Sequence, residues 1–288
     1  MVFEAKIVTD SISPARSRLT TFALRYPRFV HAELMTHRLF SRNASSSRAI
    51  PVKTILQQLE EDPAMPVFWG LNEKGMQARS EADSFTIEAF KTLWLEARDS
   101  AIEYARTLNN MGLHKQLVNR LLEPWSHITV VVTATEWDNF FDLRCNPDAQ
   151  PEIKAVADRM RDLYYANTPS RVEFGGWHLP FIQDEEKHAP GNYAKKGHVK
   201  NEGNLVKAST ARCARVSYLT HDKKRPDLDL DIVLHDRLFG SKHMSPFEHP
   251  AQPLTNPDQW SGNFKGWVQY RKMLKGEAYT NYTPPTEQ

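Results

Sequence analysis

The feature that most constrains the fold is a stretch of about residues 85–108 in which apolar side chains recur at three- and four-residue steps. This spacing is typical of an α-helix that buries one stripe of its surface. Ser80 with Asp83 offers a start that resembles a capping box, and Gly112 lies just beyond the end. The predicted buried stripe consists of Phe90, Leu93, Trp94, Ala97, Ala101, Tyr104, Ala105 and Leu108.

The rest of the chain mixes strands and helices. The β-branched run at 127–135 predicts a strand, and shorter strands are expected at 4–9 and 20–26. Further helices are expected at 28–38, 51–61, 113–121 (stopped by Pro124), 136–144, 149–165 and 228–239, with a polar loop at 41–48 and long loops at 166–210. Because strands and helices do not alternate regularly, the predicted class is α+β, with a mixed sheet and long helices.

Composition excludes several classes of protein. The chain has 288 residues, 40% hydrophobic and 25% charged, which is typical of a globular protein. Its net charge of +2 gives no overall basic field, so no nucleic-acid partner is expected. It shows neither an apolar signal core nor a stretch of roughly 18 apolar residues, so no membrane segment is expected. Cys145 and Cys213 fit a reduced, cytoplasmic setting, and the sequence shows no zinc cluster, Rossmann fingerprint or P-loop.

Polar residues capable of binding anions are concentrated at 33–48. This stretch holds three arginines, one histidine, one asparagine and four serines in sixteen positions. Arginine binds phosphate oxygens through paired hydrogen bonds, and serine hydroxyls add neutral donors. From the density of these polar residues alone, an anion-binding loop and an ordinary polar surface loop are equally good interpretations.

The order of these residues resembles that of flavin-dependent thymidylate synthases, which usually reads Arg-His-Arg, seven residues, Ser, and an Arg two positions later. The positions that fall in place are His37, Arg38, Ser41, Asn43, Ser46 and Arg48. Segments 120–124 and 143–153 resemble the Arg-x-x-Leu-Pro and Leu-Arg-x-x-x-x-Ala-Gln-x-Glu-Ile blocks of the family, in the same order. Segments 214–218 and 243–249 resemble its Ala-Arg-Val-Ser and His-x-Ser/Thr-Pro-Phe-Glu-His blocks.

Several features depart from the family pattern. The Pro-Phe-Glu-His block stands before the His-Arg block in the family but comes last here, as in a permutation or module rearrangement. Thr36 replaces the first arginine, Glu33 a glutamine and Ala44 an acidic residue. The expected organisation is one catalytic domain over 1–288, with a possible loop-rich boundary at 166–210 and a displaced module at 211–288. Sites in the family are assembled from several subunits of a homotetramer, so the changed order need not destroy a site.

The resemblance implies roles for individual residues. Ser46, Arg48 and Arg120 would hold the nucleotide phosphate, although a salt bridge at a helix end is the competing interpretation for Arg120. Arg144 would be catalytic, because a fixed guanidinium at the pyrimidine stabilises negative charge as C5 is activated. Glu33 and Ser47 would complete the substrate site. The implied flavin contacts are Thr36, His37, Arg38, Asn43, Asn139, His243 and Ser245, whereas His249 could be a structural hydrogen-bonding partner.

The implied reaction is methylation of dUMP at C5 by a homotetramer that uses FAD, NADPH and 5,10-methylenetetrahydrofolate. The same chemistry on dCMP, or a 5-hydroxymethyl product, is the nearest alternative, because Glu33, Thr36 and Ala44 alter the loop. A non-catalytic nucleotide- or RNA-binding protein that kept the arginine-serine loop is the alternative from another class. No metal site is expected.

Overall fold

A computed structural model describes residues 3–188, 202–216, 227–275 and 277 of the chain. Ser217 and Tyr218, the last two residues of the 214–218 block, lie outside the described residues. The described part combines one main sheet with a larger number of helices, in agreement with the predicted α+β class.

The main sheet has five strands in the order β3-β4-β2-β1-β5. Its neighbours pair antiparallel except β1 and β5, which are parallel. The strands are β1 (Glu4–Ile12), β2 (Arg18–Pro27), β3 (Ser41–Ala44), β4 (His127–Ala134) and β5 (Ser170–Arg171). The strands predicted near 4–9, 20–26 and 127–135 are therefore confirmed, and the first two extend further than predicted.

The prediction of a loop over 41–48 is wrong for its first half, because 41–44 forms β3 against β4. Polarity alone suggested a loop, but the buried side chains of this strand find hydrogen-bond partners in the C-terminal part of the chain. Ser41 Oγ accepts from Gln269 Nε2 at 2.9 Å, and the Asn43 amide contacts His249. A polar strand can be buried when its side chains are paired in this way.

The two faces of the sheet differ in chemistry. One face is apolar, with Phe22, Leu24 and Val132 in a buried cluster. This cluster also takes in α1 (His31–Met35), α5 (Asp138–Arg144) and α6 (Pro151–Ala166). The other face carries the buried hydroxyls of Thr21 and Thr133 and is covered by the C-terminal part of the chain.

A separate helical layer contains α2 (Val52–Glu61), α3 (Ser84–Asn110) and α4 (Lys115–Val118), followed by a 3₁₀ helix at Asn119–Trp125. The single helix predicted at 113–121 is divided between α4 and this 3₁₀ helix, and the prediction that Pro124 stops it is wrong, because Pro124 lies inside the 3₁₀ helix. The predicted capping box is also wrong, because Asp83 itself caps α3 by accepting from the backbone N–H groups of Phe85 and Thr86.

The long helix is confirmed, but its predicted buried stripe is wrong in part. Within α3 only Ile102 and Ala105 are fully buried, while Leu93 is 61% and Tyr104 67% exposed. Apolar side chains extend over more of the circumference of α3 than the rest of the chain covers. One edge of the apolar stripe is therefore covered, and the other edge is uncovered.

The C-terminal part contains α7 (Asp184–His188), α8 (Glu202–Arg215), α9 (Leu228–Gly240), a 3₁₀ helix at Ser245–Glu248, β6 (Ala251–Pro253), β7 (Trp260–Ser261), β8 (Phe264–Lys265), β9 (Trp267–Gln269) and α10 (Tyr270–Met273). Strands β6 and β9 pair, as do β7 and β8. Helix α8 begins inside the predicted loop region 166–210, because Leu205 and Val206 pack with Leu179 and Ile182. In the described ranges, no helix has both the length and the apolar composition to cross a bilayer.

Candidate functional site

Arg144, the last residue of α5, is held by side chains from the polar segment at 33–48, which we call the first block. Its Nε donates to His37 Nε2 at 3.0 Å, and its Nη1 to Glu33 Oε2 at 2.5 Å. Its Nη2 donates to the Glu33 carbonyl at 3.2 Å and to Thr36 Oγ1 at 3.0 Å. Residues predicted from two distant blocks therefore meet in one cluster, which we call the Arg144 cluster: Glu33, Thr36, His37 and Arg144.

The electrostatics of this cluster follow from its burial. Burial lowers the pKa of His37 to about 4, and the nearby charges of Arg144 and Arg42 act in the same direction. A neutral His37 can accept the Nε–H of Arg144, which an imidazolium could not do. Arg42 closes the end of α1 by donating to the carbonyls of Leu34, Met35 and His37. The cluster therefore contains an ion pair between Glu33 and Arg144, and its hydrogen bonds fix the orientation of the Arg144 guanidinium.

A second group centres on the carboxylate of Glu123. Ser47 Oγ and Arg120 Nη1 both donate to Glu123 Oε1 at 2.8 Å, and Arg28 Nη1 lies 3.6 Å from the same oxygen. The structure thus places Arg120, which is 54% exposed, in a salt bridge within a helical turn. This matches the competing interpretation for Arg120. Ser47 and Arg120 are brought together, but through a shared acceptor.

A third group lines a cleft of about 560 Å³ between the 43–49 segment and α9. It gathers five of the predicted site residues, and we call it the cationic cleft. No carboxylate is among the lining side chains that belong to the described ranges. The polar lining residues are Asn43, Ser46, Arg48, His114, Lys115, Gln116, Arg237, His243 and Ser245.

The displaced 243–249 block is physically joined to the first block. The Asn43 amide nitrogen donates to His249 Nε2 at 2.9 Å, and its oxygen accepts from Ser245 Oγ at 3.2 Å. His249 is completely buried, and burial lowers its pKa to about 3. His249 is therefore a neutral hydrogen-bonding residue that ties the two blocks together within one chain.

Other predicted residues stand apart from these groups. Arg38 and Asn139 are exposed. The two free cysteines are not activated thiols, since burial raises the pKa of Cys145 to about 11 and also raises that of Cys213. In the described ranges, no group of three or more His, Cys, Asp or Glu residues could hold a metal ion.

The sequence interpretation missed Lys115 and Arg237, both of which line the cationic cleft. Arg237 lies in the last turn of a helix that was predicted, at 228–239. Its position on the helix was thus foreseeable, but not that α9 would face residues nearly two hundred positions earlier. Only the tertiary packing of the C-terminal part reveals this.

Comparison with known proteins gives the family. A family model described as thymidylate synthase complementing protein matches residues 9–170. Since this is more than half of the chain, the protein belongs to that family, the flavin-dependent thymidylate synthases. The matched range contains the Arg144 cluster and the Glu123 group, whereas the 243–249 block lies beyond it.

Two solved structures of the UMP/dUMP methylase PolB from Streptomyces cacaoi are similar to the chain. The structure bound with 5-Br UMP is 18% identical with a TM-score of 0.48, covering 57% of this chain and 89% of that one. The structure bound with 5-Br dUMP is 21% identical with a TM-score of 0.44, covering 52% of this chain and 66% of that one. A comparison with curated proteins finds no match.

Proposed function

We propose that this protein methylates dUMP at C5 in a reductive reaction that uses FAD, NADPH and 5,10-methylenetetrahydrofolate. The observation that carries the proposal is the Arg144 cluster. Four hydrogen bonds fix the guanidinium of Arg144 against residues of the block that gave the first family resemblance. Membership in the family over 9–170 supports the same reaction.

The donor set of the cationic cleft fits the phosphate groups of such ligands. Arginine, lysine and hydroxyl donors line it, and none of its described lining residues is a carboxylate that would repel an anion. Ser46 and Arg48 would hold the nucleotide phosphate, and Asn43, His243 and Ser245 would contact the flavin. Bound FAD would supply the redox chemistry, and methylenetetrahydrofolate the one-carbon unit that the base receives.

The role of the Arg144 cluster follows from fixed charge. C5 of the pyrimidine becomes nucleophilic when negative charge builds up on the ring, and a guanidinium already held in place would stabilise that activated form before C5 attacks an electrophilic carbon. His37 and Thr36 orient the guanidinium, since they accept from Nε and Nη2. No cysteine nucleophile is required, which agrees with the raised pKa values of Cys145 and Cys213.

We propose further that the site is completed between copies of the chain in a homotetramer, each copy being one catalytic domain. Within one chain the Arg144 cluster, the Glu123 group and the cationic cleft form three separate groups. The uncovered edge of α3 supports contact between copies, because large apolar side chains rarely remain in water along a whole helix. We call this edge the outer stripe: Leu93, Tyr104 and, at the C-cap of α3, Met111.

The same chemistry on dCMP, with a methyl or hydroxymethyl product, is favoured by one observation. The carboxylate of Glu33 replaces a neutral amide in the family pattern and lies against Arg144. A carboxylate can accept from the exocyclic amino group of cytosine, which uracil lacks. If this interpretation is correct, Glu33→Gln shifts the preference from dCMP towards dUMP. Equal rates for both nucleotides in both proteins would contradict it.

The test of the proposed function begins with the absorbance spectrum of the purified protein. The proposal predicts a flavin spectrum, and NADPH oxidation that depends on both dUMP and methylenetetrahydrofolate. A colourless protein that binds nucleotide but oxidises no NADPH, even with added FAD, would instead indicate a non-catalytic nucleotide- or RNA-binding protein.

A further inference from the structure

Two cations of the cationic cleft come from parts of the chain to which the family resemblance assigned no role. Lys115 is the first residue of α4, and Arg237 lies in the last turn of α9. Both line the same cleft as Ser46 and Arg48. Three cationic side chains from three separate segments therefore converge on one concave surface.

The charge of this surface is not neutralised by the lining residues. Within the part of the chain that the structure describes, no carboxylate lines the cleft, and neither Arg48 nor Arg237 forms a side-chain ion pair or hydrogen bond with another residue. Three converging cations repel one another, so a dianion between them lowers the electrostatic energy. Phosphate esters match guanidinium and ammonium donors in charge and geometry.

The backbone and side chains around these cations hold them in place. Lys115 Nζ donates to the Ala49 carbonyl at 3.1 Å, which fixes its head group beside Arg48. Helix α9 is anchored to α8 because Asp231 accepts from Arg212 Nε at 2.8 Å and from Arg215 Nη2 at 2.7 Å. The position of Arg237 is therefore set by a buried ion-pair network.

Arg120 offers a contrast. The family resemblance assigns it to the phosphate, but here its guanidinium is paired with Glu123 and does not line the cleft. The cleft nevertheless has a second guanidinium beside that of Arg48, because Arg237 contributes one from the C-terminal part of the same chain.

We propose that Arg237 and Lys115, together with Arg48, bind a phosphate group in the cationic cleft, and that Arg237 takes the place of Arg120. The identity of the ligand, the phosphate of dUMP or the diphosphate of FAD, rests on the proposed function. The phosphate chemistry itself rests on the cleft. Losing one charge-assisted arginine contact weakens binding about tenfold to hundredfold.

The experiment is titration calorimetry of the full-length protein with dUMP, FAD and inorganic pyrophosphate, and with deoxyuridine and riboflavin as ligands without phosphate. The variants are Arg237→Ala and Lys115→Ala, with Arg120→Ala as the rival position. Arg159→Ala is the matched control, because Arg159 is exposed on α6 and away from the cleft. Circular dichroism verifies that each variant is folded.

The proposal predicts that Arg237→Ala and Lys115→Ala weaken pyrophosphate binding, and either dUMP or FAD binding, at least tenfold, while Arg120→Ala and Arg159→Ala bind as the wild type does. The nucleotide affected identifies the source of the phosphate. Wild-type affinity in Arg237→Ala, or a wild-type protein that binds none of the three anions, overturns the proposal. If binding is lost in these variants but the wild type makes no methylated product, the proposed function fails and this inference stands. If Arg237→Ala is an active enzyme with a wild-type KM, the proposed function stands and this inference fails.

Discussion

His249 Nε2 lies 2.9 Å from the side-chain amide of Asn43, although the two residues are 206 positions apart in the chain. This contact begins a continuous series of hydrogen bonds along the covered polar face of the sheet. Successive donor–acceptor distances are 2.7, 2.7, 2.8 and 2.8 Å. We call this series the buried polar row: Asn43, His249, Thr133, Thr21, His178 and Ser11.

One set of proton positions satisfies every link in this row. The Asn43 amide donates to His249 Nε2, so His249 Nδ1–H donates to Thr133 Oγ1. The Thr133 hydroxyl then donates to Thr21, and the Thr21 hydroxyl donates to His178 Nε2. Such a row joins the 243–249 block to the sheet with a defined register. Mismatched docking would leave buried polar groups without partners.

The first prediction concerns the stability that Thr133 provides. Thr133→Val removes the acceptor of His249 and the donor to Thr21, and leaves buried polar groups unsatisfied. We expect the free energy of unfolding to fall by about 2 kcal/mol or more, measured by urea denaturation. Thr129→Val is the matched control, because Thr129 lies on the same face of β4 and its hydroxyl makes no hydrogen bond with another described residue. Equal losses in the two variants would show that the row adds no stability.

The second prediction concerns pH. Burial lowers the pKa of His249 to about 3 in the folded protein, against about 6.5 in an unfolded chain. Between these values the unfolded state binds one more proton, so this residue makes the protein less stable as the pH falls below 6.5. The loss is about 1.4 kcal/mol per pH unit.

The measurement is the free energy of unfolding of wild type and His249→Gln at several pH values from 7 to 5. The variant is expected to be less stable at pH 7, but to lose stability less steeply by about one proton. Parallel curves for the two proteins would mean that the pKa of His249 is the same in the folded and unfolded states, and would contradict the prediction.

The third prediction concerns the guanidinium of Arg144. Lysine keeps the charge but cannot donate at once to His37, Glu33 and Thr36. If the proposed function is correct, Arg144→Lys lowers kcat about a hundredfold, while flavin absorbance and the affinity for dUMP change little. Steady-state kinetics give both values. An unchanged kcat would remove Arg144 from catalysis.

Much of this architecture is predictable from sequence because it depends on local patterns. The β-branched run of β4 and the periodicity of α3 and α6 each identify an element without reference to the rest of the chain. The family resemblance assigned His37 to the flavin and Arg144 to the pyrimidine, and the structure shows the two side chains in contact; the assigned roles stay predictions.

The parts that could not be predicted depend on partners distant in sequence. The polar segment 41–44 is a strand because Gln269 and His249 pair with its side chains. Arg237 contributes to the cleft because α8 and α9 pack through Asp231. Such pairings of polar residues leave no period in the sequence, since each one depends on the final tertiary contact.

The fourth prediction concerns assembly through the outer stripe of α3. A charge at Leu93 would be buried without a partner if the stripe forms a contact between copies. If the proposed homotetramer forms, Leu93→Glu is therefore expected to convert it to smaller species in light scattering after size exclusion. Thr92→Glu introduces the same charge at the next position, away from the stripe, and should leave the mass unchanged. If Leu93→Glu keeps the wild-type mass, the subunit contact lies elsewhere.

The most direct test of dUMP methylation is the mass of the nucleotide formed from dUMP in the presence of isotopically labelled methylenetetrahydrofolate, FAD and NADPH. The proposed function predicts a product heavier by one labelled methylene unit, identical to thymidylate in its chromatographic mobility. Unmodified dUMP after complete incubation, in a protein that has bound its flavin, would contradict it.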